Sequence, residues 1–522
     1  MLRKRAALID STLICLLTAL LIGPLFRLKY LDNWGSIEST FIADSRMLIN
    51  NFPHPGWQPL WYCGTRFDYI YPPALRYGTA LIAWGAHMTT ARAYHLYTAV
   101  LYVLGILAVY WLVRLGSGSR KGGLLASAAT ALLSPSFLFL TDIRHDSGWW
   151  VPQRLHVLMS YGEGPHISAL CVLTAALAMC FTVLRKWSPA RFAAAAGLCA
   201  FAVSNNFYGA TALAVFFPFV VWSVWLGRRD GRVLLRAAGI AAFAWGLCAF
   251  WLTPSYVGIT LVNMQWVAQP GNRWSVLVAG VVCALFGAVS WRVGNRRPER
   301  EWTIFTAGAA LFLSLNVIGL AYFGFRIYGE PIRLIPELDL ALILLAVEAL
   351  RYTWQRPRLR IAVALMTVAA FSPSFRYLRH VWTPFPKAQA FESSYEYETS
   401  RWVNDHLHGA RVLPSGSLRF WFDAWFDNSQ PDGGSMQGML NQILPAATWQ
   451  IIHGPRTELA TLWLQALGTD AVIAPAKNSR DVYRDYEHAE KFRGVLTALH
   501  DDGHGTVIYG VPRVHPGIGR VV

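Results

Sequence analysis

Residues 36–46 read SIESTFIADSR, and they follow closely on an apolar run at 7–27 that is long enough to cross a membrane. Glu38 opens this amphipathic segment, and Arg46 follows two helical turns later. An acid in the first turn of a helix is stabilised by the helix dipole, so Glu38 can simply be a cap. Alternatively, it faces the outer leaflet as a general base beside the head group of a membrane-embedded substrate. Either way, the segment predicts a surface helix at the membrane boundary.

The composition of the whole chain indicates a polytopic membrane protein. Of its 522 residues, 54% are hydrophobic and only 15% are charged, against roughly a quarter charged in soluble proteins. Apolar runs of about 18 to 22 residues recur, each able to cross a hydrocarbon core of roughly 30 Å. We predict about eleven membrane spans, near residues 7–27, 91–113, 122–140, 166–184, 190–206, 208–226, 237–254, 274–291, 303–322, 334–350 and 360–377.

The basic residues predict how these spans are oriented. The net charge is +16, and most of the excess lies in short Arg and Lys clusters between alternate apolar runs. Such clusters are typical of cytoplasmic loops, so we expect a cytoplasmic N-terminus and an extracytoplasmic C-terminus in the cell (inner or plasma) membrane. The alternation requires segment 72–88 to lie on the surface or re-enter, rather than form a twelfth span. No nucleic-acid-binding motif accompanies the charge, so no nucleic-acid partner is expected.

The predicted topology divides the chain into two domains. Residues 1–378 form an all-helical membrane domain, in which residues 28–90 are a long first outer loop carrying surface helices. Residues 379–522 are richer in charge and form a small extracytoplasmic α/β or α+β domain.

Local signals within the second domain predict its elements. Ser394 is a candidate cap for a helix that ends by Gly409, and RTELATLWLQALG (456–468) predicts a second helix. DAVIAP (470–475) and TVIYGVP (506–512) predict strands.

The second outer loop contains a candidate metal site. In TDIRHD (141–146), Asp142, His145 and Asp146 offer hard oxygen ligands and one imidazole to a divalent cation such as Mg²⁺ or Mn²⁺. The alternative is a solvated turn in which one of the acids pairs with Arg144.

Two other outer segments carry candidate binding residues. Glu163 and His166 lie where the chain re-enters the membrane, and they either cap a helix or share the wall of a substrate site. FRIYGEPIR (325–333) places Arg326 and Arg333 in a short outer loop, where basic residues are unusual. A guanidinium suits phosphate oxygens, although pairing with Glu330 or with lipid phosphates would also explain these residues.

Ionisable residues are concentrated in the outer loops, and the middles of the predicted spans are nearly free of them. A transporter usually places charged residues within its spans. The distribution therefore favours chemistry at the membrane surface.

IESTFIADSRML (37–48) followed by YPPA (71–74) resembles the first outer loop of GT-C glycosyltransferases, which use polyprenyl-phosphate-linked sugars. Aminoarabinose transferases and protein mannosyltransferases of this type show an acidic pair, an Arg eight residues after its second acid, and a later Lys/Tyr-Pro-Pro. The resemblance implies that Glu38 is the catalytic base, that Arg46 contacts the donor phosphate and that Tyr71 contacts substrate. Ile37 replaces the other acid, so Asp32 or Asp44 could contribute instead.

The resemblance extends beyond the first loop. FPHPGWQPLWYCGTRFDYIYPPALRY, YGEGPHISAL and QPDGGSMQG are similar to blocks of bacterial membrane proteins described as 6-pyruvoyl-tetrahydropterin synthase-related, and of YfhO-like proteins. In related GT-C enzymes an Arg in the region that corresponds to FRIYGEPIR contacts the donor phosphate, which implies this role for Arg333 or Arg326.

Together these features predict an inverting membrane glycosyltransferase. It would move a sugar from a lipid-linked donor to a glycan, lipid or protein acceptor in the cell envelope, with membrane lipids as its surroundings. The alternative is a non-catalytic GT-C-like protein that binds glycolipid, transports it or assists envelope assembly.

Overall fold

The computed structural model describes residues 2–148, 150–265, 271–386 and 390–513. Twenty α-helices within these ranges are α1 (Leu2–Leu21), α2 (Glu38–Asn51), α3 (Pro73–Gly85), α4 (Thr90–Ser117), α5 (Arg120–Leu132), α6 (Thr141–Asp146), α7 (Gln153–Ser160), α8 (Gly164–Arg185), α9 (Pro189–Asn205), α10 (Phe207–Arg228), α11 (Arg232–Cys248), α12 (Pro254–Met264), α13 (Arg273–Arg296), α14 (Glu301–Phe323), α15 (Ile335–Trp354), α16 (Arg360–Arg379), α17 (Tyr395–His406), α18 (Gly416–Trp421), α19 (Leu444–His453) and α20 (Thr457–Ala466). The strands are β1 (Trp57–Gln58), β2 (Thr65–Arg66), β3 (Val412–Leu413), β4 (Ala471–Pro475), β5 (Thr497–Asp501) and β6 (Thr506–Gly510).

Each predicted span contains most or part of a helix, because long apolar runs favour helices in lipid. Six helical segments in the described part of the chain are long and apolar enough to cross a membrane, and they contain α4, α8, α10, α13, α14 and α16. The core of the bundle is built around α8, whose side chains are buried over most of its length. The other predicted spans also contain helices, which are either shorter or carry more charged residues or less apolar surface than these six.

The predicted span at 122–140 is wrong in its extent. Helix α5 ends at Leu132, and the chain is extended at Leu133 and Ser134 before a short 3-10 turn that begins at Pro135. Proline lacks the N–H that a continuing helix would need, and it pushes the preceding residue out of the helical region. The 13 residues of α5 rise about 20 Å, which is less than the hydrocarbon thickness.

Segment 72–88 contains α3, a helix of only 13 residues. Its length is too short for a span and fits the predicted surface-lying helix. Leu75 and Thr79 are buried on one face, while Leu81 and Trp84 are exposed on the other.

The C-terminal residues form a mixed α/β unit, as predicted. Its four-stranded sheet has the order β3-β4-β6-β5, with β3 parallel to β4 and the other pairs antiparallel. Ser394 caps α17 by accepting a hydrogen bond from the N–H of Tyr397, and Gly468 follows α20 with a positive φ. Strands β4 and β6 lie at the predicted positions, whereas β3 and β5 were not predicted.

This C-terminal unit packs against the first outer loop. The indole N–H of Trp61 donates to Asp423 at 2.6 Å, and both side chains are buried. The rings of Trp34 and Trp421 meet edge to face, with their centroids 4.9 Å apart. The predicted domains at 1–378 and 379–522 therefore meet through aromatic and hydrogen-bonded contacts.

Candidate functional site

A cavity of about 350 Å³ lies where α8 and α15 begin, beneath the first outer loop and the C-terminal unit. It collects residues that are far apart in the sequence and that come from five parts of the chain. They are Gly35, Ile37, Ile143, Gln153, Val157, Tyr161, Glu163, His166, Ile332, Arg333, Ile335, Pro336 and Tyr483. Three of the predicted site residues, Glu163, His166 and Arg333, therefore share one cavity.

Glu163 and Arg333 form the charged part of its wall. A terminal nitrogen of Arg333 lies 2.5 Å from Oε1 of Glu163. Glu163 is at the N-terminal cap position of α8 but makes no side-chain capping bond, so its carboxylate is directed to the arginine instead. Burial acts to lower the pKa of Arg333, but Glu163 and the more weakly acting Tyr208, Tyr71 and Glu330 together outweigh it, so the pKa is raised. Because 47% of the Arg333 side chain is exposed, it remains accessible to an anion in the cavity.

His166 connects this wall to α15. Its Nε2 lies 2.9 Å from Oε1 of Glu337, and both side chains are almost fully buried. The ring of Tyr208 packs on the imidazole, with the centroids 4.7 Å apart. The pair fixes the start of α8 against the start of α15, between which the cavity opens.

Three acids lie near the two ends of the predicted span at 334–350, outside its middle. Glu337, Asp339 and Glu348 are all buried on α15. These acids did not stand out in the sequence because most of the surrounding residues are apolar. An acid within a predicted span is itself a signal of function or pairing, and it could have identified Glu337 as a partner.

Glu38 lies behind the cavity wall. It is fully buried at the start of α2, and its Oε2 lies 3.2 Å from Nε2 of His95, a residue that the sequence did not suggest. Its Oε1 has no hydrogen-bond partner among the described residues. The preceding residue, Ile37, lines the cavity, whereas Glu38 itself does not.

Tyr94 connects Glu38 with Glu163. Its hydroxyl donates to the carbonyl of Gly162 and accepts from the N–H of Gly164, so it holds both residues that flank Glu163. The charges of Glu38 and Glu163 both act on this buried tyrosine, so both candidate carboxylates lie near it.

The remaining candidates lie outside the cavity lining. Asp32 is half-buried in the loop before α2. Tyr71 is buried, and its hydroxyl accepts a hydrogen bond from the side chain of Asn206 at 2.9 Å. Arg326 is half-buried, and its carbonyl accepts from the N–H of Asn272.

Arg46 is engaged by the C-terminal unit. Its guanidinium lies 2.8 Å from Asp427 and also donates to the carbonyls of Asp423 and Phe426. These contacts dock Arg46 against the C-terminal unit, and all three are made by one terminal nitrogen of its guanidinium.

The structure does not bring Asp142, His145 and Asp146 together as metal ligands. All three are exposed on the short helix α6, and Asp146 instead pairs with His156 at 3.0 Å. No group of three or more His, Cys, Asp or Glu residues in the described part of the chain is arranged to hold a metal ion. The residues present therefore do not fit the expected divalent cation.

Asp44 is the least satisfied acid near the site. It is fully buried in α2, and neither of its carboxylate oxygens has a hydrogen-bond partner among the described residues. Burial raises the pKa of its carboxyl to about 7, and the charge of Arg76 lowers it by a smaller amount.

This burial predicts a pH dependence of stability. Since the pKa is raised in the folded state, the native chain binds a proton between pH 3.8 and about 7 that the unfolded chain does not. Stability should fall as pH rises through this window. We expect Asp44→Asn to raise the stability at pH 8 by about 2–4 kcal/mol and to flatten this slope. Thermal unfolding in detergent measures both effects.

The matched control for this prediction is Asp68→Asn, because Asp68 is exposed and paired with Arg66 at 2.7 Å. Its unfolding profile should stay close to that of the wild type across the same pH range. An Asp44→Asn profile that is indistinguishable from the wild type would contradict the proposed cost of burying this carboxylate.

No family model and no curated protein matches the chain, but solved structures match its fold. The apo oligosaccharyltransferase of Archaeoglobus fulgidus is 13% identical, with a TM-score of 0.55 over 97% of this chain and 74% of that one. ArnT from Cupriavidus metallidurans is 13% identical, with a TM-score of 0.51 over 95% of this chain and 97% of that one. Arabinofuranosyltransferase AftD from Mycobacteria is 15% identical, with a TM-score of 0.51 over 97% of this chain but only 40% of its own.

These likenesses confirm the GT-C fold, and the six long apolar helical segments in the described part of the chain support a location in a membrane. At 13–15% identity they establish the fold alone. The narrower resemblance to 6-pyruvoyl-tetrahydropterin synthase-related and YfhO-like proteins is not supported by any of the three matches.

Proposed function

We propose that this protein is a membrane glycosyltransferase that uses a polyprenyl-phosphate-linked sugar. The observation that carries the proposal is the Arg333–Glu163 pair on the wall of a cavity at the rim of the membrane bundle. The cavity meets the requirement of such a substrate, because the lipid tail needs an apolar surface while the sugar and acceptor need polar groups. The fold it shares with an oligosaccharyltransferase, ArnT and AftD supports the same reaction class.

Arg333 is the proposed ligand of the donor phosphate. Its side chain is half-exposed and bound to a single carboxylate, so a phosphate can replace Glu163 with little rearrangement. A guanidinium binds phosphate oxygens through parallel hydrogen bonds, and this pairing is stronger where water is excluded. The exchange would release the carboxylate of Glu163 at the moment when the donor binds.

Glu38 is the proposed general base, and Glu163 is the competing candidate. The acceptor hydroxyl would attack C1 of the sugar from the side opposite the phosphate, giving inversion. The C1–O bond would break with its electrons passing to the phosphate, while the hydroxyl proton passes to a carboxylate. Glu38 has one oxygen that has no hydrogen-bond partner among the described residues and could accept this proton. Asp32 is a second acid that could contribute. Catalytic hydrogen bonds often shorten only in the substrate complex.

The same proposal covers the acceptor and the side of the membrane on which transfer takes place. The acceptor would be an envelope glycan, lipid or protein on the extracytoplasmic face, with the C-terminal unit on that side and the N-terminus in the cytoplasm. The A. fulgidus oligosaccharyltransferase has been solved with a tethered acceptor peptide, which supports an acceptor of comparable kind here. No step is routed through a metal, since the predicted ligands do not converge.

Sugar transfer in proteoliposomes tests this function. The purified chain would be supplied with radiolabelled sugar on a polyprenyl phosphate, together with candidate glycan, lipid and peptide acceptors. Glu38→Gln should lower kcat by about 10², since loss of a general base typically costs that much or more. Glu392→Gln, which changes an exposed acid in the same way, should leave kcat unchanged. If Glu38→Gln keeps full activity and Glu163→Gln loses it, Glu163 is the base instead of Glu38.

One observation favours the non-catalytic alternative. Glu38 is buried behind Ile37 and paired with His95, so the carboxylate implied by the family resemblance does not line the cavity. A degenerate relative would keep the Arg333 site and bind the donor without turning it over. Saturable binding of the polyprenyl-phosphate sugar with no transfer to any acceptor would identify that case.

A further inference from the structure

Helix α19 carries exposed apolar side chains on its outer face, which is unusual in the mixed α/β unit that contains it. Its inner face buries Leu444 and Ile451, as expected for a helix that packs on a sheet. Its outer face presents Ile443, Ala446 and Trp449 at a spacing of three residues. Ile443 is 58% exposed and Trp449 is 60% exposed. Large apolar side chains that are exposed side by side usually mark a contact with a partner or a membrane, so we expect this outer face to be covered.

The segment that leads into α19 is tied to α12. The side-chain amide of Asn263, near the end of α12, donates to the carbonyls of Gln437 and Met439 at 2.9 Å each. The amide of Gln442, one residue before Ile443, donates to the side-chain oxygen of Asn263 at 2.5 Å. The outer face of α19 therefore begins directly beside α12.

Helix α12 belongs to the membrane bundle and not to the C-terminal unit. It follows α11, whose exposed residues Phe243 and Leu247 are typical of a lipid-facing surface. With 11 residues it rises only about 16 Å, so it cannot cross the bilayer. It also exposes Leu261 and Val262, next to Asn263. A short helix with such exposed residues at the end of a span suits the membrane surface.

We propose that the exposed residues of α12 and α19 form one interfacial surface that inserts into the head-group region of the bilayer. This α12/α19 surface consists of Leu261, Val262, Ile443, Ala446 and Trp449. Its occupant is the lipid itself, because the surface continues from a lipid-facing helix and carries a tryptophan, the residue enriched at membrane interfaces.

The consequence concerns the position of the candidate cavity. The C-terminal unit contributes Tyr483 to the cavity wall, and it is already attached to the first outer loop through Trp61 and Asp423. A second attachment to the bilayer would fix the height of the unit above the membrane. The proposal rests on the membrane location of the chain and is independent of glycosyl transfer.

Site-specific photocrosslinking tests the surface in the full chain with its native cysteines. Trp449→p-benzoylphenylalanine and Ile443→p-benzoylphenylalanine would be reconstituted in vesicles of phosphatidylethanolamine and phosphatidylglycerol, irradiated and analysed by mass spectrometry. We expect phospholipid adducts at both positions, at a yield at least about tenfold above the control, since only residues that reach the bilayer lie close enough to phospholipid to react with it.

The control is Leu462→p-benzoylphenylalanine on α20. Leu462 is 61% exposed, like Trp449, but it shares its outer face with Glu458 and Gln465. Lipid yields at 443 and 449 no higher than at 462 would overturn the proposal. Adducts to a second copy of the chain at these positions would also overturn it, because they would identify a protein partner as the cover. If one variant fails to fold, the other position decides.

Discussion

Replacing Arg333 with glutamine is expected to lower kcat/KM for transfer from a polyprenyl-phosphate sugar by about 10³, equivalent to about 4 kcal/mol. Glutamine keeps much of the shape of the side chain but removes the charge that balances both Glu163 and the departing phosphate. As the C1–O bond breaks, negative charge builds on the phosphate, so the guanidinium stabilises the transition state more than the ground state. The loss should therefore appear in kcat as well as in KM for the donor.

Arg333→Lys separates charge from geometry. Lysine keeps the charge but lacks the planar fork of donors, so it should recover only part of the activity. Arg144→Gln is the matched control, because Arg144 lies on α6 in an outer loop and stacks over Trp150 instead of lining the cavity. Transfer by Arg333→Gln at the wild-type rate would exclude the phosphate-binding role, provided that its thermal unfolding is unchanged.

Much of the membrane fold could be predicted from local sequence. Long apolar runs have one stable outcome in lipid, so the helices lie where the runs lie. Ser394 was identifiable as a cap because capping is a local interaction between a hydroxyl and an N–H three residues away. The break of α5 before Pro135 was also readable, since proline ends a helix by local sterics. We predicted one span over 122–140 because the apolar run continues past this proline.

The site depended on pairings that no local pattern encodes. Glu163 and Arg333 were each identified as unusual, but their contact spans 170 positions and is set by how α8 and α15 pack. His95 and Glu337 were missed because each lies in a predominantly apolar helix. Arg46 illustrates the same limit, because its spacing from Glu38 suggested a phosphate ligand and could not indicate its contact with Asp427 of the C-terminal unit.

Gly438→Ala is expected to detach the C-terminal unit from the first outer loop. An added Cβ at Gly438 would lie 1.2 Å from the carbonyl oxygen of Tyr69 and 2.2 Å from its carbonyl carbon. Both are backbone atoms, so no rotamer change relieves the overlap and the two segments must separate. Separation would also break the hydrogen bond from Ser435 to the carbonyl of Ile70, now 3.0 Å long. We expect a loss of about 4 kcal/mol or more, at the upper end for single substitutions.

Limited proteolysis and thermal unfolding in detergent would detect this change. Cleavage should move to the segment between α16 and α17, releasing a fragment that contains the C-terminal unit, while the membrane bundle stays intact. Gly56→Ala is the matched control in the same loop, because an added Cβ there has no atom within 4 Å. Since the unit supplies Tyr483 to the cavity, its detachment should also abolish transfer although Glu163 and Arg333 remain. Protease resistance of Gly438→Ala equal to the wild type would mean that the 430–440 segment does not hold the unit in place, and the cavity would then depend on the bundle alone.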